Sequence, residues 1–64
     1  MSFHKYLNRI RCENAKHRLK NESRTVTEIA LECGYSDVTY FNRVFKQLYG
    51  LTPGKYRNNQ MAAL

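Results

Sequence analysis

The chain has 64 residues, with 11 Lys and Arg against 5 Asp and Glu, a net charge of +6 and a pI near 9.7. A chain this short buries only about 60% of its unfolded surface, so it holds one small core and no deep reaction pocket. It carries no paired carboxylates, nucleophile–base pair or phosphate-cradling glycine loop, so no enzyme is expected, and the basic balance favours a polyanionic partner.

The first predicted element is a helix from Phe3 to Lys20, with Ser2 as N-cap and no Gly or Pro to interrupt it. Tyr6, Leu7, Ile10, Ala15 and Leu19 recur at helical spacing and predict a thin buried stripe. Lys5, Arg9, Arg11, Lys16, Arg18 and Lys20 make the rest of this helix strongly basic. Asn21-Glu22-Ser23-Arg24 is a polar break and reads as a loop.

Thr25-Val-Thr-Glu28 is a capping box that opens a short second helix with Val26, Ile29, Ala30 and Cys33 on its apolar face. Gly34 suits the positive φ of a tight helix stop, and Tyr35 is expected to plug the core at the turn. Ser36 is the expected cap of a third helix, with Asp37 in its first turn, running to Tyr49 and stopped by Gly50. Phe41, Val44, Phe45 and Leu48 are spaced three and four apart and predict its buried stripe. The opposite face then carries Val38, Thr39, Asn42, Arg43 and Lys46, with Tyr40 between the two faces. Thr52-Pro53 caps and starts a short last helix through Tyr56 and Arg57, and the tail from Asn58 shows no pattern.

The two thiols, Cys12 and Cys33, sit on different predicted helices without CxxC spacing and are expected to be reduced, small apolar residues. With His4 and His17 they fit no zinc pattern, so no metal or other cofactor is expected. No apolar run approaches the ~20 residues of a membrane span.

The order short helix, glycine turn, longer basic-tipped helix, glycine stop and final capped turn over Thr25–Arg57 is the outline of a helix-turn-helix reader of double-stranded DNA. The expected architecture is all-α and homeodomain-like: a long helix and loop over 1–24, the helix-turn-helix unit over 25–58 and a tail over 59–64. A helix of this kind lies in the major groove, where each base pair shows a distinct donor and acceptor pattern. Arg43 can fork onto a guanine, Asn42 can pair with an adenine edge, and Thr39 and Val38 can touch a thymine methyl. Lys46, Tyr40, Ser36 and Thr25 are assigned to phosphates, which position the helix without reading sequence. Arg11 is read as structural, its head pairing with Glu13, Glu28 or Glu32, in preference to DNA.

Glu28-Ile-Ala30, Gly34-Tyr35, Tyr40-Phe41, Phe45-Lys46, Gly50-Leu-Thr-Pro53 and Tyr56-Arg57 together resemble the C-terminal part of an AraC/XylS-type bacterial transcription regulator. Arg11 and Ala15 also fit. The resemblance covers about Ser2 to Arg57 and implies two helix-turn-helix units joined by a long helix. This chain then supplies the joining helix and the second unit, as a monomeric fragment in a bacterial cytoplasm. The same resemblance marks Val38, Thr39, Asn42 and Arg43 as the base-reading positions. A weak repeat, Met1-Ser-Phe-His-Lys-Tyr6 laid on Leu51-Thr-Pro-Gly-Lys-Tyr56, agrees with a tandem. The competing reading is a small basic helical module that contacts RNA polymerase or a partner regulator through Arg9, Lys16 and Lys20.

Overall fold

The Ser2 hydroxyl accepts the Lys5 amide at 3.2 Å and so sets the start of the first helix, α1, Phe3–Asn21. The computed structural model describes residues 2–62, with side chains to residue 59. Three further helices follow: α2 (Val26–Glu32), α3 (Val38–Tyr49) and α4 (Pro53–Ala62). The all-α expectation holds, with α1 packed against each of the other three helices. Among the described residues no helix is long and apolar enough to cross a membrane.

The expected α1 stripe is covered only in part: Ala15 and Leu19 are buried and Leu7 is half-buried, whereas Tyr6 is 56% and Ile10 46% exposed, and Cys12, outside that stripe, is buried as well. Cys12, Ala15 and Leu19 lie on the face against which α2 and α3 pack, and no described element lies over Tyr6 and Ile10. The helix ends one residue later than expected, at Asn21, whose Nδ2 donates to the His17 carbonyl at 2.8 Å.

The capping box forms as predicted. Glu28 N–H donates to Thr25 Oγ1 at 3.1 Å, and the Thr25 amide and hydroxyl donate to Glu28 Oε1 at 3.1 and 3.0 Å. These two donors, the amide first, hold the Glu28 carboxyl below the usual carboxylate range. Ile29, Ala30 and Cys33 are buried, and Ala30 at 0% exposure lets the neighbouring helices come close.

Gly34 turns the chain at φ +105°, and Tyr35 drops into the core at 3% exposure. The Arg11 guanidinium lies beside this turn, 5.6 Å from the centroid of the Tyr35 ring. The expected pairing of Arg11 with Glu13, Glu28 or Glu32 is absent among the described contacts. Glu13 goes to Arg9, Glu28 to its own cap and Glu32 to Arg18 and Arg24. Arg11 is structural through its ring contact, which attracts the cation to the π face.

The cap of α3 is Asp37 and not Ser36. Asp37 Oδ1 accepts from the amides of Thr39 at 2.9 Å and Tyr40 at 3.4 Å. Ser and Asp cap about equally well, and it is Asp37 that holds the extended backbone of an N-cap, φ −125° and ψ 111°, directly before the first helical residue. Gly50, at φ +84°, ends α3 where the sequence places it. Phe41, Val44 and Phe45 are buried as expected, but Leu48 is 43% exposed. The buried line runs Phe41, Phe45, Tyr49, with ring centroids 5.7 and 4.7 Å apart, and Leu48 falls to its edge. Burying each of the two fully covered phenylalanines contributes about 1.5–3 kcal/mol.

The Thr52 hydroxyl accepts the Lys55 amide at 3.3 Å, matching the Ser2–Lys5 cap of the repeat. Pro53 is buried, and the Tyr56 ring meets Phe45 at 5.7 Å. α4 continues to Ala62, beyond the expected end at Arg57, because no Gly or Pro follows to stop it. Residues 63 and 64 of the expected tail lie outside the described residues. Both cysteines are free thiols, buried as expected, and burial pushes their ionisation above the ordinary range.

Candidate nucleic-acid interface

With Phe41, Val44 and Phe45 turned into the core, α3 presents its opposite side to solvent. Thr39, Arg43 and Lys46, at i, i+4 and i+7, are all exposed and form one outward line. Asn42 lies half-buried on one flank of that line. Val38 is also half-buried and packs against the core, so it borders the outward face instead of standing on it. Tyr40 is 44% exposed on the other flank, where its hydroxyl oxygen accepts from Asn8 Nδ2 at 3.0 Å.

The residues assigned to phosphates are dispersed. Ser36 is exposed beside the start of α3. The amides of Thr39 and Tyr40 are already taken by Asp37, so this helix start offers a phosphate the Ser36 hydroxyl and little bare backbone. The Thr25 hydroxyl is likewise engaged on both sides by Glu28, leaving the Val26 and Thr27 amides without a partner among the described residues. Thr25 and α3 are held relative to each other by the core contacts of Ile29 and Ala30 with the third helix.

Three residues were not singled out by the sequence as part of this surface. Gln47 is exposed one turn after Arg43, and with Lys5 and Asn8 of α1 it lines a groove alongside α3. For Gln47 the signal was present, since its i+4 spacing from Arg43 places it beside the same face. For Lys5 and Asn8 there was none, because only the packing of α1 brings them next to α3.

α3 thus carries a basic outward face on the second helix of a helix pair, with a positive-φ glycine before it and another after it. The domain family described as "Helix-turn-helix domain" matches residues 1–59. The HTH-type transcriptional activator RhaS of Escherichia fergusonii is 37% identical over 60 residues, covering 94% of this chain and 22% of that protein. The HTH-type transcriptional activator RhaR of Mannheimia succiniciproducens is 41% identical over 58 residues, 91% of this chain and 21% of its own length. RhaR of Klebsiella pneumoniae subsp. pneumoniae is 35% identical over 63 residues, 98% and 22% respectively.

The chain belongs to the AraC/XylS-type helix-turn-helix family.

It is a DNA-binding domain of the transcription-regulator type, and it spans about a fifth of the length of the curated relatives it matches. No solved structure matches it. α2, the positive-φ turn at Gly34 and α3 form a helix–turn–helix arrangement, and α1 precedes it.

Proposed function

We propose that α3 enters the major groove of duplex DNA and reads sequence with Thr39, Asn42 and Arg43, bordered by Val38. The outward line of Thr39, Arg43 and Lys46 carries this reading, since it leaves a short side chain, a forked cation and a flexible cation along one accessible face. Arg43 supplies the strongest discrimination, about 1–3 kcal/mol for a bidentate contact to guanine. Lys46, Tyr40 and Ser36 hold phosphates on either side, and the α2 start behind Thr25 adds its free amides.

The relatives are named as transcriptional activators, and we read this chain as acting in a longer bacterial regulator of the same kind, in the cytoplasm, as a monomer on its own DNA segment. The exposed face left on α1 by Phe3, Tyr6 and Ile10, together with the Ser2/Thr52 repeat, supports a preceding unit seated there. Lys20 at the far end of α1 stays available to a protein partner such as RNA polymerase.

The test is selection of bound sequences from a random duplex pool, followed by anisotropy titrations of two alanine variants. Arg43→Ala is expected to weaken the selected sequence by about ten-fold or more and a random duplex little. Lys46→Ala is expected to weaken both alike and to reduce the salt slope by about one. Equal losses for both variants on both duplexes would sink this division of labour.

A further inference from the structure

The first turns of α1 run beside the flank of α3, and the space between them is a groove of about 650 Å³. Lys5, Asn8, Arg9 and Glu13 line it from α1, and Tyr40 and Arg43 line it from α3. Glu13 is 3.7 Å from Arg9, with both side chains more than half exposed to water. Such a surface pair contributes ~0–1 kcal/mol, so Arg9 can exchange it for a stronger anion. Three cations against one carboxylate leave the groove positive.

Its polar groups are also oriented. The Tyr35 hydroxyl donates to Asn8 Oδ1 at 3.0 Å, and the buried Cys12 thiol lies 3.4 Å from the same hydroxyl. With the Tyr35 proton committed to Asn8, the thiol is the donor in that contact. Asn8 Nδ2 then donates to the Tyr40 oxygen at 3.0 Å. Every donor in the chain Cys12, Tyr35, Asn8, Tyr40 points the same way, from the core outward. The Tyr40 oxygen is occupied as an acceptor and its proton remains to be given away. A phosphate oxygen, which only accepts, is the matching partner.

We propose that the α1/α3 groove is a phosphate-binding site for the DNA backbone, in which Lys5 and Arg9 supply charge, Tyr40 donates its hydroxyl proton, and Asn8 is a positioning residue that aims that proton. The proposal rests on the placement of α3 in the major groove and extends the interface onto α1. The DNA strand bordering α3 on its Tyr40 side then runs over the first turns of α1.

The intact chain is titrated with a random-sequence duplex over a series of salt concentrations. Lys5→Gln and Arg9→Gln are each expected to flatten the plot of log K against log salt by about 0.9, the value of one neutralised phosphate. Lys20→Gln removes the same charge from the far end of α1 and is expected to leave the slope unchanged. Tyr40→Phe and Asn8→Ala should each weaken random-duplex binding several-fold. In the Tyr40→Phe background Asn8→Ala should have no further effect, which a merely structural role would not produce. Circular dichroism on each variant confirms the folded fraction used in the fit. Equal slope changes for Lys5, Arg9 and Lys20 would reduce the effect to bulk charge and overturn the proposal, as would no change for Lys5 and Arg9. If Arg43→Ala and Lys46→Ala keep their effects in that event, the α3 reading stands alone. If they too are silent, it is the α3 reading that has failed.

Discussion

Gly34 is held by two constraints at once. Its φ of +105° disfavours any L side chain, and a Cβ placed there would lie 2.9 Å from Arg11 Nε. Gly50, at φ +84°, carries the first constraint only, with nothing within 4 Å of a built Cβ. Backbone strain of this kind costs about 1–2 kcal/mol. Both Gly→Ala variants should therefore lose about that much in urea denaturation, with Gly34→Ala the larger. Removing the guanidinium with Arg11→Ala should cancel the excess at Gly34 and leave Gly50→Ala unaffected. If the Gly34→Ala loss is the same with and without Arg11, the close approach carries no energy. The sequence showed that both glycines sit at helix stops. It did not show that Arg11 packs over one of them, because that contact joins residues far apart in the chain.

The start of α3 sets stability against binding. Asp37 caps the helix by taking the Thr39 and Tyr40 amides, and in doing so it puts a negative charge at the start of the helix that we propose enters the DNA groove. Asp37→Ala should cost about 1 kcal/mol in stability, the usual loss for a cap. The same change should strengthen binding to a random duplex at low salt, since it frees two amides at the positive helix end and removes a repulsive charge. Thermal unfolding and anisotropy on one variant check both halves, and a loss in both would show that order in the first turn of α3 outweighs the charge. The ends of α2 and α3 and the start of α4 were legible from the chain, because Thr25-x-x-Glu28, Gly34, Gly50 and Thr52-Pro53 are local signals with local causes, whereas α4 lacks such a stop and runs past the expected end at Arg57. The choice between Ser36 and Asp37 as cap was not, since both residue types cap well and only the extended backbone at Asp37 decides it.

At the scale of the whole molecule, α1 is the element on which the other three assemble, and Arg57 closes the assembly. Its Nε donates to the Leu19 carbonyl at 3.1 Å and its Nη2 to the Glu22 carbonyl at 3.0 Å, fastening α4 to the last turn of α1 and the cap beyond it. A guanidinium fits two carbonyls from one planar fork, and an ammonium does not. Arg57→Lys should lower stability by about 1–2 kcal/mol while keeping the charge. With Arg57→Gln, which removes the charge, the salt slope of DNA binding should be unchanged if Arg57 acts through the fold alone. A changed slope without a changed unfolding midpoint would place Arg57 on the DNA instead.

The four helices, the caps at Ser2, Thr25 and Thr52, the glycine stops at Gly34 and Gly50 and most of the α3 stripe were legible in the sequence. Each of these follows from spacing and residue type within a dozen positions, where backbone hydrogen bonding and side-chain periodicity act directly; the family rests on motifs spread from Ser2 to Arg57. Coverage of the side chains came from the tertiary structure: Tyr6, Ile10 and Leu48 have the right spacing for a core, but among the described residues no element covers them and each is at least 43% exposed. The tertiary structure also decided that Asn8 of α1 reaches both Tyr35 and Tyr40, and that Lys5 and Arg9 face α3 across a groove. Burial and long-range hydrogen bonds depend on where a second helix lies, and that position follows from packing the whole core rather than from any one segment.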